Sequence, residues 1–219
     1  MKVLIFSDTH LTHKFDIELF DYIAKLVKSA DQVIINGDFW DAYLTTFNKF
    51  LNSDWKRLFP LLKKKNTVYI FGNHDKKEFM DKRYNFFSNK QSLDYEFKSG
   101  KRDFYVTHGH LIVPTYDNLL FFKNPLFVRF FYKLYVYAVT EISLFRTFFL
   151  VFDDKKNNKQ LSVIKKHVKD KKQNKQFFIF GHSHVPNLKI HEQFISLGAL
   201  QKNSKHYCLI EDGYIELID

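Results

Sequence analysis

The chain has 219 residues, of which 45% are hydrophobic, so an intrinsically disordered protein is excluded and one ample core, or a domain with an insertion, is affordable in length. The net charge of +10 favours an anionic partner: a phosphate compound, a nucleic acid or an anionic membrane surface. The single cysteine, Cys208, excludes an internal disulfide and a thiolate-based zinc site, and its apolar setting marks it as core.

The N-terminal apolar run, residues 2–6 (KVLIF), is too short for a signal peptide and gives way at once to polar SDTH. It reads as a buried strand. In residues 15–29, Phe15, Leu19, Ile23, Leu26 and Val27 recur at helical spacing. Residues 31–36 (DQVIIN) form the next strand, before GDFWD. Residues 45–65 read as a helix interrupted near Pro60. Strands follow at 66–71 before GNHD and at 102–107 before HGH. Residues 111–175 then separate HGH from the next signature and read as an insertion whose first part is helical and rich in aromatic residues.

Its richest part, 118–152, is broken by Lys123, Arg129, Lys133, Glu141 and Arg146, so it lacks the roughly 18 or more uncharged apolar residues of a spanning helix. The lysine-rich stretch 153–176 reads as a partly helical, solvated face. Residues 176–180 (QFFIF) are a strand before GHSH, and the tail predicts strands at 193–200, 205–211 and 214–218, with Asp212-Gly213 as a hairpin turn. Alternation of strand and helix predicts a single layered α/β domain over residues 1–219.

Five of the predicted strands end in metal-ligand residue types. Groups at the carboxyl ends of strands in such sheets meet in one crevice. Asp8 and His10 stand one apart, and an extended segment would point both the same way. Asp38 follows Gly37, and Asn73 and His74 follow Gly72. His108 precedes Gly109, and His182 and His184 follow Gly181. Any one of these motifs is weak alone; five in order, each after a strand, are a strong signal. Mixed oxygen and imidazole donors without thiolate suit Mn²⁺, Fe or Zn²⁺ better than Mg²⁺ or Ca²⁺.

The ordered set SDTH, GDFWD, GNHD, HGH and GHSH, spanning residue 1 to about residue 200, resembles the calcineurin-like metallophosphoesterase family. The resemblance implies a four-layer αββα sandwich with two divalent metal ions, Mn²⁺ first among the candidates. Asp8, His10 and His184 would hold one metal; Asn73, His108 and His182 would hold the other; Asp38 would bridge them. A metal-bridging hydroxide would attack phosphorus, with His74 serving the phosphate and the leaving oxygen rather than a metal. Asp75 is expected either to orient His74 or to serve as a turn or cap. His13 and His110, near the ligand loops, read as solvated surface histidines.

Within the family, Asn124-Pro125-Leu126-Phe127-Val128-Arg129 in a helical insertion, and 37–43 (GDFWDAY), are similar to the UDP-2,3-diacylglucosamine pyrophosphatases of lipid A synthesis. There the insertion is a lid over acyl chains. Many members of that group carry Arg where this chain has His74 and Asp where it has His110, which moves the chain toward the generic phosphoesterase pattern. The expected substrate is an anionic phosphoester or pyrophosphate, lipid-linked in this branch, met in the cytoplasm or through peripheral contact of 116–152 with the inner membrane face. The alternatives are a phosphodiesterase or phosphatase for nucleotides or other small phosphoesters, with the insertion as a cap or homodimer surface, and a non-catalytic metal-binding scaffold. Nucleic acid is disfavoured, because the lysine-rich stretch lacks interleaved aromatic residues.

Overall fold

The computed structural model describes residues 1–113, 130, 134, 143–170 and 176–218. The first strands and helices are β1 (Lys2–Phe6), α1 (Ile17–Ser29), β2 (Gln32–Asn36), α2 (Phe47–Leu51), α3 (Phe59–Lys64) and β3 (Val68–Ile70). Then come β4 (Lys90–Ser92), β5 (Asp94–Ser99), β6 (Arg102–Thr107), α4 (Ser143–Asp170), β7 (Gln176–Phe180), β8 (Asn187–Lys189) and β9 (Phe194–Ser196). The chain ends with β10 (Leu200–Gln201), β11 (Ser204–Lys205), β12 (Tyr207–Glu211) and β13 (Tyr214–Ile218).

A six-stranded sheet has the order β13-β12-β1-β2-β3-β4, and a five-stranded sheet the order β5-β6-β7-β9-β8. Strands β1 to β4 run parallel, as do β6, β7 and β9. The strand period of two sets the layering. In β1, Val3 and Ile5 join Phe104, Val106, Phe177 and Ile179 in the core between the sheets. Leu4 and Phe6 point the other way, into a second core with Ile23 and Val27 of α1, Phe50 of α2 and Leu62 of α3. On the far side, Phe178, Phe180 and Phe194 pack against Leu161, Ile164 and Val168 of α4. The result is the expected αββα order of layers, with Cys208 buried between the sheets.

Helix α1 starts where Asp16 caps it, its carboxylate accepting from Leu19 N at 3.0 Å. The predicted 45–65 helix is divided differently from expectation. Its break falls after Leu51, a 3₁₀ segment spans Asp54–Leu58, and Pro60 sits in the first turn of α3, where its missing N–H costs nothing. Strands β4 and β5 had no apolar run to announce them: they lie at the edges of the two sheets, and β5 alternates exposed with partly buried residues. Asp212 (φ 49°) and Gly213 (φ 85°) form the expected hairpin turn.

Up to Asp170 the lysine-rich stretch is helical, and Gln160, Leu161, Ile164 and Val168 form a buried face on it, so the expectation of a solvated face is corrected for these residues. Most of the aromatic segment 116–152, including 124–129, lies outside the described residues. Among the described residues no helix is long and apolar enough to cross a membrane.

Candidate metal centre

The parallel strands β1, β2, β3, β6 and β7 deliver the motif residues from their carboxyl ends. The backbone there is unusual. Asp8 (φ 56°), His10 (φ 47°), Asp38 (φ 54°), His182 (φ 64°) and His184 (φ 56°) all have left-handed conformations, which L side chains adopt at a cost that clusters at functional sites. The expected extended alternation of Asp8 and His10 is therefore not how they meet; tight left-handed turns bring them together. Backbone bonds hold these turns: Asp8 N donates to Gly37 O at 3.1 Å, His10 N to Asp38 O at 2.9 Å, and Gly181 N to His108 O at 3.1 Å.

Asp8, His10 and His184 offer ligand atoms that all lie within 4.8 Å of one another, and Asp38, His108 and His182 do the same. His184 Nε2 is 3.2 Å from Asp8 Oδ1. Asp38 Oδ2 reaches one member of each group, His108 Nε2 at 3.3 Å and His10 Nε2 at 3.7 Å. Asn73 Oδ1 lies 3.3 Å from His108 Nε2, while His108 Nδ1 is fixed on Asn36 O at 2.8 Å. Asp8, Asp38, Asn73, His108 and His182 are buried.

Gly37 is required by close approach: a Cβ there would fall 2.5 Å from Cγ of His108. At Gly72 a Cβ would overlap the Asp38 carboxylate and lie 2.6 Å from Asp38 N.

Charge explains the carboxylates. Burial opposes ionisation of Asp8, but His184 and His108 outweigh it and hold the group at about 2. Asp38 is held well below the usual range against the same burial, by His108 and then His74. His108, also opposed by burial, is raised to about 10 by Asp38 and Asp8. His182 goes the other way, lowered by burial and by His108. Asp8 Oδ1 is buried with no hydrogen bond although its carboxylate stays ionised. A buried, ionised oxygen whose near neighbour is the imidazole nitrogen of His184 at 3.2 Å, in a cluster without thiolate, fits a divalent cation.

His74 stands outside those two groups. Its backbone N donates to Asp38 Oδ1 at 2.8 Å, and its Nδ1 lies 3.2 Å from Asp41 Oδ2. Asp41 Oδ2 is also 3.5 Å from His10 Nδ1, and Asp41 Oδ1 accepts from Tyr43 N at 2.8 Å and Leu44 N at 3.1 Å. His10, Asp41 and His74 thus form a further group of ligand-type atoms.

Sequence reasoning passed over Asp41, although it is the second carboxylate of GDFWD. The group that orients His74 is Asp41, not Asp75. Asp75 Oδ1 accepts from Gly72 N at 2.7 Å and Asp38 N at 3.1 Å, and its Oδ2 from Phe39 N at 2.7 Å and the Tyr69 hydroxyl at 2.6 Å. It is a turn residue that ties two loops together. His13 is exposed as expected, with Nδ1 3.0 Å from Thr45 Oγ1. His110 is not: its Nδ1 is buried without a partner, and burial followed by His108 lowers it to about 3.

Two sheets between helical layers, with Asp and His clusters that suit divalent cations at their carboxyl ends, make up the metallophosphoesterase fold. The chain belongs to the calcineurin-like phosphoesterase family, whose model matches residues 1–186. Membership makes it a phosphoester hydrolase by class.

Solved structures similar to it include YfcE, a phosphoesterase from E. coli, at 15% identity and TM-score 0.48, covering 100% of this chain and 98% of that one. A predicted phosphoesterase from Streptococcus pneumoniae is 17% identical, with TM-score 0.43 and coverage of 99% and 86%. Vps29 from Entamoeba histolytica, complexed with zinc, is 14% identical, with TM-score 0.44 and coverage of 100% and 97%. No curated protein matches the chain.

Proposed function

We propose that the protein hydrolyses a phosphoester or pyrophosphate bond at a centre of two divalent cations. Asp8, His10 and His184 would hold one cation; Asn73, His108 and His182 the other; Asp38, between the groups, would touch both. The observation that carries this reading is the convergence of these donors from five strand ends, with the Asp8 carboxylate buried, ionised and only partly partnered. When bound, the cations would supply Lewis acidity and a nucleophile at neutral pH.

The chain's own residues do the rest. His74, whose Nδ1 lies 3.2 Å from Asp41 Oδ2, would hydrogen-bond a phosphoryl or leaving-group oxygen through its imidazole. Asp41, buried and held low by His74 and His10 in spite of its burial, keeps that imidazole in one orientation.

For the substrate, the proposal is a phosphoester or pyrophosphate that carries apolar groups, UDP-2,3-diacylglucosamine being the form implied by the resemblance of 124–129 and 37–43. Supporting it, Leu111, Phe130 and Leu134 are exposed, and the sequence from 116 to 152 is rich in aromatic and aliphatic residues.

The test is one parallel assay with Mn²⁺, Fe²⁺ or Zn²⁺, giving the protein UDP-2,3-diacylglucosamine in detergent and, separately, bis-p-nitrophenyl phosphate. Release of UMP with poor cleavage of the diester supports the lipid substrate; cleavage of the diester alone removes it and leaves a small-phosphoester hydrolase. Asp38→Asn should lower turnover at least about 10²–10³-fold, the scale of removing a group that stabilises transition-state charge. Full activity in that variant refutes the bridging role.

A further inference from the structure

One buried polar side chain at the centre belongs to none of the five motifs. Gln160 lies on α4, which is docked on the second sheet by its neighbours Leu161, Ile164 and Val168. Its side chain is buried, and Nε2 of the amide lies 3.3 Å from Nε2 of His182. The amide oxygen, Oε1, is buried and has no hydrogen-bond partner. An amide has the same shape either way round, and its orientation is assigned from its partners. A half-turn about the last side-chain bond puts the oxygen where the nitrogen is, at hydrogen-bonding distance from His182 Nε2. Oε1 then gains a donor, provided that His182 carries its proton on Nε2, and the NH₂ takes the place that the oxygen left.

The consequence lies on the other side of the ring. A neutral imidazole has one N–H and one lone pair. If Nε2–H donates to Gln160, the lone pair is on Nδ1, and that is the atom left for a cation.

We infer that Gln160 is the positioning residue for His182: its amide oxygen accepts from Nε2–H, fixes the tautomer and turns Nδ1 into the donor. This rests on the metal-centre reading for the cation, but not for the tautomer. Groups that orient a ligating histidine through its second nitrogen commonly account for a 10- to 100-fold effect on metal affinity. The sequence pattern hides Gln160 within a run of lysines and asparagines. The helix makes it the polar member of an otherwise apolar face.

The test uses the full chain with histidines labelled with ¹⁵N, in chelator at pH 8, and reads the His182 tautomer from long-range ¹H–¹⁵N correlation spectra, assigned with His182→Asn. The wild type should show Nε2–H. Gln160→Leu, close in size and apolar, should lose that preference, and Gln160→Glu, which can still accept, should restore it. In Mn²⁺ titrations followed by calorimetry, Gln160→Leu should bind one of two cations about 10- to 100-fold more weakly, and Gln160→Glu within a few fold of the wild type.

A wild-type His182 protonated on Nδ1 overturns the inference, and so does Gln160→Leu with wild-type tautomer and affinity. If the wild type binds no cation at all, the metal reading fails, and the tautomer alone decides the role of Gln160. Backbone amide spectra of Gln160→Leu that match the wild type outside the centre keep a folding defect separate from both.

Discussion

Asp75→Asn separates two roles for a buried carboxylate that predict opposite pH dependence. Asp75 accepts four hydrogen bonds, three from backbone N–H groups and one from Tyr69. Burial, and then the neighbouring Asp38, raise its pKa from 3.8 to about 6. The folded protein therefore binds this proton more tightly than the unfolded chain. Stability from this group is fully present below about pH 4 and falls as pH rises through about 6. The shift corresponds to about 3 kcal/mol, of which roughly 2 kcal/mol is lost between pH 4.5 and pH 8.

Asparagine is neutral throughout and escapes that loss. It pays elsewhere, because its NH₂ cannot accept from Phe39 N, and one buried donor left without an acceptor costs about 1–3 kcal/mol. A protonated carboxyl avoids this, since its hydroxyl can donate to Tyr69 and still accept. Urea denaturation in chelator should find Asp75→Asn less stable than wild type by about 1–3 kcal/mol at pH 4.5, and close to wild type at pH 8. A deficit that grows with pH would refute the reasoning. It would mean that the ionised form is the favoured one, as it would be if Asp75 were paired with His74.

Gly72→Ala should impair the centre without replacing any proposed ligand. Its Cβ would overlap the Asp38 carboxylate, and a displacement of about 1 Å can lower turnover about 10²-fold; diester hydrolysis by Gly72→Ala within a few fold of wild type would show that Asp38 has slack. His74→Gln should cut hydrolysis of an alkyl ester, whose leaving oxygen needs a proton, by about 10²–10⁴-fold, and that of a nitrophenyl ester much less. Equal losses on both esters would place His74 in phosphate binding instead. Ile164→Ala, at a position with no exposed surface on α4, should lower stability by about 2–5 kcal/mol in thermal or urea unfolding. A change below about 0.5 kcal/mol, the range of surface substitutions, would show that α4 is not docked on β7.

What the sequence disclosed and what it withheld follow from how far each feature depends on distant residues. The buried strands were legible because an apolar run ended by a turn residue is a local pattern, and the ligand types stood directly after those runs. Strands β4 and β5, at sheet edges, bury little, so their residues carry no such pattern. The break in the 45–65 helix was misplaced because Pro60 starts a helix as readily as it ends one.

Within the centre the same division holds. Asp8, His10, Asp38, Asn73, His108, His182 and His184 were singled out by adjacency to strands, and the structure brings them together. Asp41 was missed because its partner His74 comes from another loop, 33 residues away. For Asp75 the sequence left two roles open, because chain proximity to His74 suggested a contact; its carboxylate turns back to bind the loop of Asp38, which is the turn role. Gln160 left no local trace at all. Its position depends on three apolar residues, Leu161, Ile164 and Val168, that set the face α4 presents to the second sheet. A helix in the stretch between the HGH and GHSH motifs thereby reaches His182. On the inference drawn for Gln160, a substitution there would weaken the cation that His182 helps to hold without altering any of the five motifs.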